Sequence, residues 1–252
     1  MSVTELSVST QNYLKTVWSL SEWSDAPVTA TVIAERTGYT LSSVSDAVRR
    51  LTDQGFLDHA RYGSISLTDV GRAHAVAMVR RHRLIESFLV SVLGYGWDQV
   101  HDEAENLEHA VSDFMVERID EFLEHPTRDP HGDPIPSADG VITIPDAVQL
   151  SRVAPGSTVV VERISDDDPE LLKFFEERGI VFEATLRVNA GAPYSDALEV
   201  VVVGDAGGVS GEANGEARGE ARDGAVRQSA VPISLGRSAT DALYVSGGTL
   251  SA

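Results

Sequence analysis

The 252-residue sequence predicts a mainly α-helical protein with a small β domain towards its C-terminal end. Apolar residues recur at helical spacing through most of residues 8–123. Short β-branched runs follow one another from residue 158 onward. Between the two lies a polar, turn-rich stretch, HPTRDPHGDPIPSADG, at 125–140. The chain is long enough for two or three modest domains, and 42% hydrophobic residues suffice to fill their cores.

Residues 8–23 read as a helix with Leu14, Val17 and Trp18 on one side. A second helix spans 29–37 and stops at Gly38. The third, TLSSVSDAVRRLTDQG, has Thr40 as N-cap and Gly55 as stop. Its Val44, Val48 and Leu51 fall at i, i+4, i+7 and face a core, leaving Ser42, Ser43, Ser45, Asp46, Arg49 and Arg50 around the rest. FLDHARYGSISL alternates about Arg61-Tyr62-Gly63 as a β-hairpin. Two helices, a Gly-containing turn, a polar second helix and a hairpin make a winged helix-turn-helix.

Thr68 caps a long helix at 69–93, broken by Gly94-Tyr95-Gly96. Another helix begins near Gln99 with Asp98 as cap and runs on to Leu123. Val76, Val79, Leu84, Ile85, Phe88, Val92, Leu107, Val111 and Phe114 supply its apolar surface and that of the long helix. Beyond the linker come STVVVERI, a short helix near 170–178, EATLRV, ALEVVVV, VPISL and ALYV, strands dense enough for a small barrel. The expected organisation is a DNA-binding domain at 1–75, a helical domain at 76–125, a linker at 126–147 and a barrel domain at 148–252. A Gly/Glu/Ala-rich insertion, about 204–228, is expected to be disordered.

The net charge of −19 argues against a polybasic tail for membranes or nucleic acid, but says little about one face. Residues 1–75 hold six basic against eight acidic groups, whereas 76–150 hold five against fifteen, so the excess lies downstream of the winged helix. The absence of cysteine removes disulfides, zinc–thiolate sites and thiol catalysis together. With no export signal and no long apolar run, the expectation is a cytoplasmic protein with no membrane partner.

VHDEAENLEHAVSDF, residues 100–114, packs two histidines and five carboxylates into fifteen residues. His101, Glu105, Glu108 and His109, at i, i+4, i+7 and i+8, share one face of a continuous helix. A solvated helix would mix Lys or Arg with its acids, and residues 100–117 contain none. RRHRLIESF upstream sets His82 and Glu86 at i, i+4. Two antiparallel helices that each bring His and Glu can converge on a cation. Imidazole with carboxylate suits Mn²⁺, Fe²⁺, Co²⁺ or Zn²⁺, and the lack of sulfur tilts the choice to harder ions.

Together these residues resemble the diphtheria-toxin-repressor family of metal-dependent transcription regulators, in particular its manganese-responsive members. The resemblance covers nearly the whole chain: winged helix, RRHRLIE, VHDEAENLEH, DPHGDPIP and an SH3-like barrel. It implies a homodimer that binds palindromic operator DNA when Mn²⁺ is bound and represses metal-homeostasis genes, with no organic substrate and no catalytic residues. Fe²⁺, Zn²⁺ and Co²⁺ stand as alternative ions, and an iron-responsive repressor of the same family is the alternative function. One implied metal site is His82, Glu86 and His101, completed by Asp166 or Asp168 of the barrel loop SDDD. The other is Glu105, Glu108 and His109, completed from the first helix by Asn12, where relatives carry methionine or aspartate, or by Glu5. Glu105 stands where iron-responsive members have cysteine. Thr40, Ser42, Ser43, Ser45, Arg49 and Arg50 match operator-facing positions, and Arg61 and Tyr62 at the hairpin tip could reach the adjacent backbone.

Two readings compete from other classes. His101-Asp102, with His82 and Asp113, resembles an HD-type metal-dependent phosphohydrolase, but the two differ by about 100° around a helix. No phosphate-binding Lys or Gly-rich loop accompanies them. A regulator of an organic ligand would bind DNA regardless of chelators.

Overall fold

The computed structural model describes residues 5–60, 63–203 and 231–250. Arg61, Tyr62 and the expected insertion at 204–228 lie outside the described residues. The chain divides into two compact units. One comprises Met1–Phe88, Asp102–Thr127 and Ile135–Thr143; the other comprises Leu89–His101, Arg128–Pro134 and Ile144–Ala252. Within the stretch expected to be a linker, Asp129, His131, Asp133 and Ile135 are all buried.

In the first unit, α1 (Val8–Glu22) starts at Ser7, whose hydroxyl accepts from the Thr10 amide. α2 (Ala30–Thr37) is capped by Thr29 and ends at Gly38, which takes the left-handed conformation at φ 70°. α3 (Leu41–Asp53) is capped by Thr40. β1 (Leu57–His59) and β2 (Ile65–Leu67) pair antiparallel, with Leu57 opposite Leu67. Leu14, Val17, Trp18, Ile33, Val44, Val48, Leu51 and Leu57 form one core. Each such aliphatic side chain contributes about 1.5–3 kcal/mol by burial. That core explains the amphipathic pattern of α3, whose buried stripe leaves the hydroxyls and arginines outside.

α4 (Asp69–Leu93) begins under the hairpin, where the Thr68 hydroxyl donates to Gly55 O at 2.7 Å and accepts from the Gly71 amide at 3.0 Å. A Cβ on Gly71 would sit 2.0 Å from Phe56 O, so only glycine permits this approach. At its middle, Arg83 grips Glu22 of α1 with both Nη atoms, at 2.9 and 2.7 Å.

Two expectations for the next segment are corrected. α5 (Trp97–Leu107) starts two residues earlier than the sequence suggests, placing Asp98 inside its first turn rather than at its cap. Helix also does not continue to Leu123: it stops at Leu107, and α6 (Asp113–Phe122) restarts from the Ser112 cap. The buried Arg81 side chain causes the break by donating to the carbonyls of Glu108 and Val111 and pairing with Asp113. Glu108 and His109 thus lie in the turn after α5, beyond the helix that carries Glu105. Phe114, expected to pack inward, is 71% exposed on α6, with Met115 and Phe122 also exposed.

The second unit is built on an antiparallel sheet of β3 (Val148–Gln149), β4 (Thr158–Ile164), β5 (Thr185–Ala190), β6 (Leu198–Val202), β7 (Ile233–Leu235) and β8 (Leu243–Ser246), in the order β3-β8-β4-β5-β6-β7. α7 (Pro169–Glu176) and α8 (Arg237–Ala242) complete it. Val159, Val161, Leu172, Phe175, Leu186 and Val245 share its core. The turn at 128–134 joins this unit through a hydrogen bond from the Ile164 amide to His131 O. Gly132, at φ 90°, is pressed so close that a Cβ would lie 2.3 Å from Glu162 O. Among the described residues no helix is long and apolar enough to cross a membrane.

Candidate metal centre and DNA-reading face

The ligand residues of the first unit converge on Glu108, whose side chain is fully buried. Its Oε2 accepts from Lys15 Nζ of α1 at 2.6 Å and lies 2.6 Å from His82 Nδ1. Its Oε1 is buried and accepts no hydrogen bond among the described residues; His109 Nε2 lies 3.4 Å away. Lys15 also donates to Glu105 Oε1 at 2.6 Å. His82 turns its other nitrogen, Nε2, to Glu86 Oε1 at 2.9 Å. His109 Nδ1 meets Gln11 Oε1 at 2.6 Å, which ties the turn after α5 to α1. Asn12 Oδ1 is buried beside no donor among the described residues, and Glu5 is exposed.

Charges reinforce one another here. Burial works against the Glu108 anion, yet the hydrogen bond from His82 and the charges of Lys15 and His82 hold its carboxyl below the usual range. Burial likewise works against the His82 cation, but Glu86 and Glu108 raise its pKa above the ordinary histidine value. Lys15 follows the same pattern: desolvation pulls it down, while Glu108 and Glu105 hold it above the usual lysine value.

The remaining expected ligands belong to the second unit. His101 Nδ1 lies 3.2 Å from Asp166 Oδ2. Burial opposes the Asp166 anion, but its hydrogen bond with His101 and the charges of His101, His131 and Arg163 hold it well below the usual carboxylate range. Asp168 does a different job. Its carboxylate caps α7 by accepting from the Glu170 and Leu171 amides. His131 is fully buried with both ring nitrogens lacking a hydrogen bond among the described residues, its ring edge-on to Trp97 at 5.1 Å. Asp129 folds back beneath it, Oδ1 accepting from the His131 and Asp133 amides at 2.9 Å each.

A divalent ion fits this chemistry. The donors are hard oxygens and imidazoles; among the described residues Glu108 Oε1 and Asn12 Oδ1 are buried acceptors without a hydrogen bond, and both ring nitrogens of the buried His131 lack one. Spacing alone missed Lys15, Gln11, Asp129 and His131. Lys15 carried a faint signal, being one of two lysines in the chain and one turn beyond Gln11 and Asn12. DPHGDPIP read as linker because its polar letters hide its burial.

On α3, Thr40 Oγ1 lies 3.0 Å from Ser42 Oγ and 2.8 Å from Ser43 Oγ, while Ser45 Oγ donates to Leu41 O. Arg49 pairs with Asp46 at 2.8 Å, both side chains at least 70% exposed. Arg50 is exposed and forms no ion pair among the described residues. The face is open, polar and about 20 Å long, the dimensions of a helix that enters a major groove.

A winged helix whose first helix is hydrogen-bonded to a buried His/Glu cluster defines a class, the metal-responsive DNA-binding regulators. The comparisons with known proteins are specific. Residues 5–65 match the family profile described as iron dependent repressor, N-terminal DNA binding domain. Residues 68–137 match iron dependent repressor, metal binding and dimerisation domain, and residues 148–207 match the FeoA domain. The chain is 35% identical over 206 residues to the iron-dependent repressor IdeR of Mycobacterium leprae, covering 77% of this chain and 87% of that protein. It is 36% identical over 157 residues to the diphtheria toxin repressor of Corynebacterium diphtheriae, covering 62% and 69%. Among solved structures it resembles a manganese-dependent transcriptional repressor in complex with manganese, at TM-score 0.79 and 44% identity over 94% of this chain and 98% of the other. It also resembles ScaR with bound Cd²⁺, at TM-score 0.73 and 27% identity over 94% and 98%. The chain belongs to the iron-dependent repressor family, the metal-dependent transcriptional repressors typified by the diphtheria toxin repressor. Members of that family regulate transcription by binding DNA, which sets aside the phosphohydrolase reading.

Proposed function

We propose that this repressor is activated by Mn²⁺ and, as a homodimer, binds a palindromic operator of metal-homeostasis genes. The observation that carries the reading is the tie between α1 and the ligand turn: Gln11 holds His109, and Lys15 holds Glu105 and Glu108. Glu105, Glu108, His109 and Asn12 would hold one ion, and an ion bound there supplies positive charge that offsets the acidic residues around it. His82 with Glu86, and His101 with Asp166, are further ligand pairs. Glu105 favours Mn²⁺ because a carboxylate is a harder donor than a thiolate. Gln11 and Asn12 sit on the helix that packs against the α3 core, so whatever fixes the ligand turn also fixes the reading face. Thr40, Ser42, Ser43 and Ser45 then meet phosphates at the N-terminus of α3, and Arg49 and Arg50 reach phosphate or guanine. The exposed apolar residues Phe114, Met115 and Phe122 on α6 supply the dimer contact.

The test is operator affinity measured against free Mn²⁺, Fe²⁺, Zn²⁺ and chelator. Mn²⁺ should tighten binding at the lowest free concentration, and the Glu105→Cys variant should shift that preference toward Fe²⁺ or Zn²⁺. Binding indifferent to chelator defeats the proposal.

A further inference from the structure

Lys15 is one of two lysines in the chain, and its side chain is only 12% exposed. Nζ lies 2.6 Å from Glu105 Oε1, 2.6 Å from Glu108 Oε2 and 3.0 Å from His82 Nδ1. His82, Glu105 and Glu108 also present one donor atom each within 4.8 Å of one another, a grouping suited to a divalent cation. We propose that Lys15 is a built-in cation: its ammonium holds the position among His82, Glu105 and Glu108 that a divalent ion would otherwise take. At Glu108, metal is then admitted only along the other edge of the carboxylate, where Oε1 faces His109.

Sterics and charge both lead there. A divalent ion bonds oxygen at about 2.0–2.6 Å, so it and an ammonium cannot both sit between the same two carboxylate oxygens. Glu108 is buried completely, and a buried carboxylate without a cation is strongly destabilised. Lys15 supplies that cation permanently, from α1, and in doing so binds α1 to the ligand turn. The Glu108 carboxylate is thereby divided, with Oε2 committed to Lys15 and His82 and Oε1 left to accept a ligand. The ligand set could serve one more ion than the folded chain admits.

The inference rests on Glu105, Glu108 and His109 being metal ligands, and its test is separable from that reading. Mn²⁺ bound per chain is counted by calorimetric titration and by metal analysis after equilibrium dialysis, for wild type and for Lys15→Gln, Lys15→Met and Lys15→Arg. The Gln and Met variants should bind one Mn²⁺ more per chain than wild type, and the Arg variant should keep the wild-type number. Equal counts in all four proteins overturn the proposal. A wild type that binds no Mn²⁺ overturns the metal assignment itself. Should the neutral variants not fold, the wild type still decides. With two lysines, ¹⁵Nζ-labelled protein gives two side-chain signals, and Lys173 is exposed. On saturation with diamagnetic Zn²⁺ the Lys15 signal should stay distinct and protected from exchange; its collapse onto the Lys173 position would mean the ion had displaced it.

Discussion

Glu108 and Arg50 are charged residues of the same compact unit, held in opposite ways. Glu108 is fully buried and locked between Lys15 and His82, whereas Arg50 is exposed on α3 with no ion pair among the described residues. The contrast separates two kinds of charge. One is part of the fold, so its removal unbalances buried neighbours. The other waits for an external partner, so its removal changes only what the protein binds.

The sharpest way to break this contrast is Glu108→Ala. Breaking the buried pairs of Glu108 with Lys15 and His82, which leaves them only Glu105 and Glu86, should cost about 3–5 kcal/mol. Denaturant unfolding without metal checks the loss, and the operator affinity of the variant should no longer respond to Mn²⁺. Arg50→Ala should do the reverse. It should weaken operator binding by about 1–3 kcal/mol while the unfolding curve, dimer and metal binding stay as in wild type.

Protons provide a subtler test. The folded pKa of His82 is raised, so the stability it contributes is complete below the ordinary histidine value and is lost as pH rises through the raised one. Melting of chelator-treated protein should therefore decline across that window. Mn²⁺ affinity should move the other way and increase with pH, because an imidazole must lose a proton before it can ligate. An Mn²⁺ affinity that also declined with pH would mean that no imidazole ligates the ion. The smallest effect is expected from Asp46→Ala. Its ion pair with Arg49 is exposed, and its loss should shift stability by less than about 0.5 kcal/mol while leaving Arg49 available to DNA.

What could be read from the sequence follows the same division. The buried stripe of α3, its Thr40 cap and the stop at Gly38 were legible because neighbours within a few residues decide them, as Val44, Val48 and Leu51 show. The end of α5 was not, because Arg81, more than twenty-five residues upstream, takes the carbonyls that a continuing helix would use. The ligand types were visible at 82–109, but their grouping depended on Lys15 and Gln11 from a helix some ninety residues away. β3 and α8 are too short to leave a periodic trace. Asp168 looked equivalent to Asp166 until the start of α7 gave it amides to accept from.

The Glu22–Arg83 clamp has a mechanical consequence. α1 is pinned at its C-terminal end by a bidentate pair and held at Gln11 and Lys15 by the ligand turn. A rod fixed at one end turns a sideways push at the other into rotation. Gln11 stands eleven residues from Glu22, about 16 Å along the axis, so a 1 Å push there swings the rod by about 4°. Loosening the pivot with Arg83→Ala would let the same push be absorbed as sliding, and the leverage would be lost even with every ligand in place.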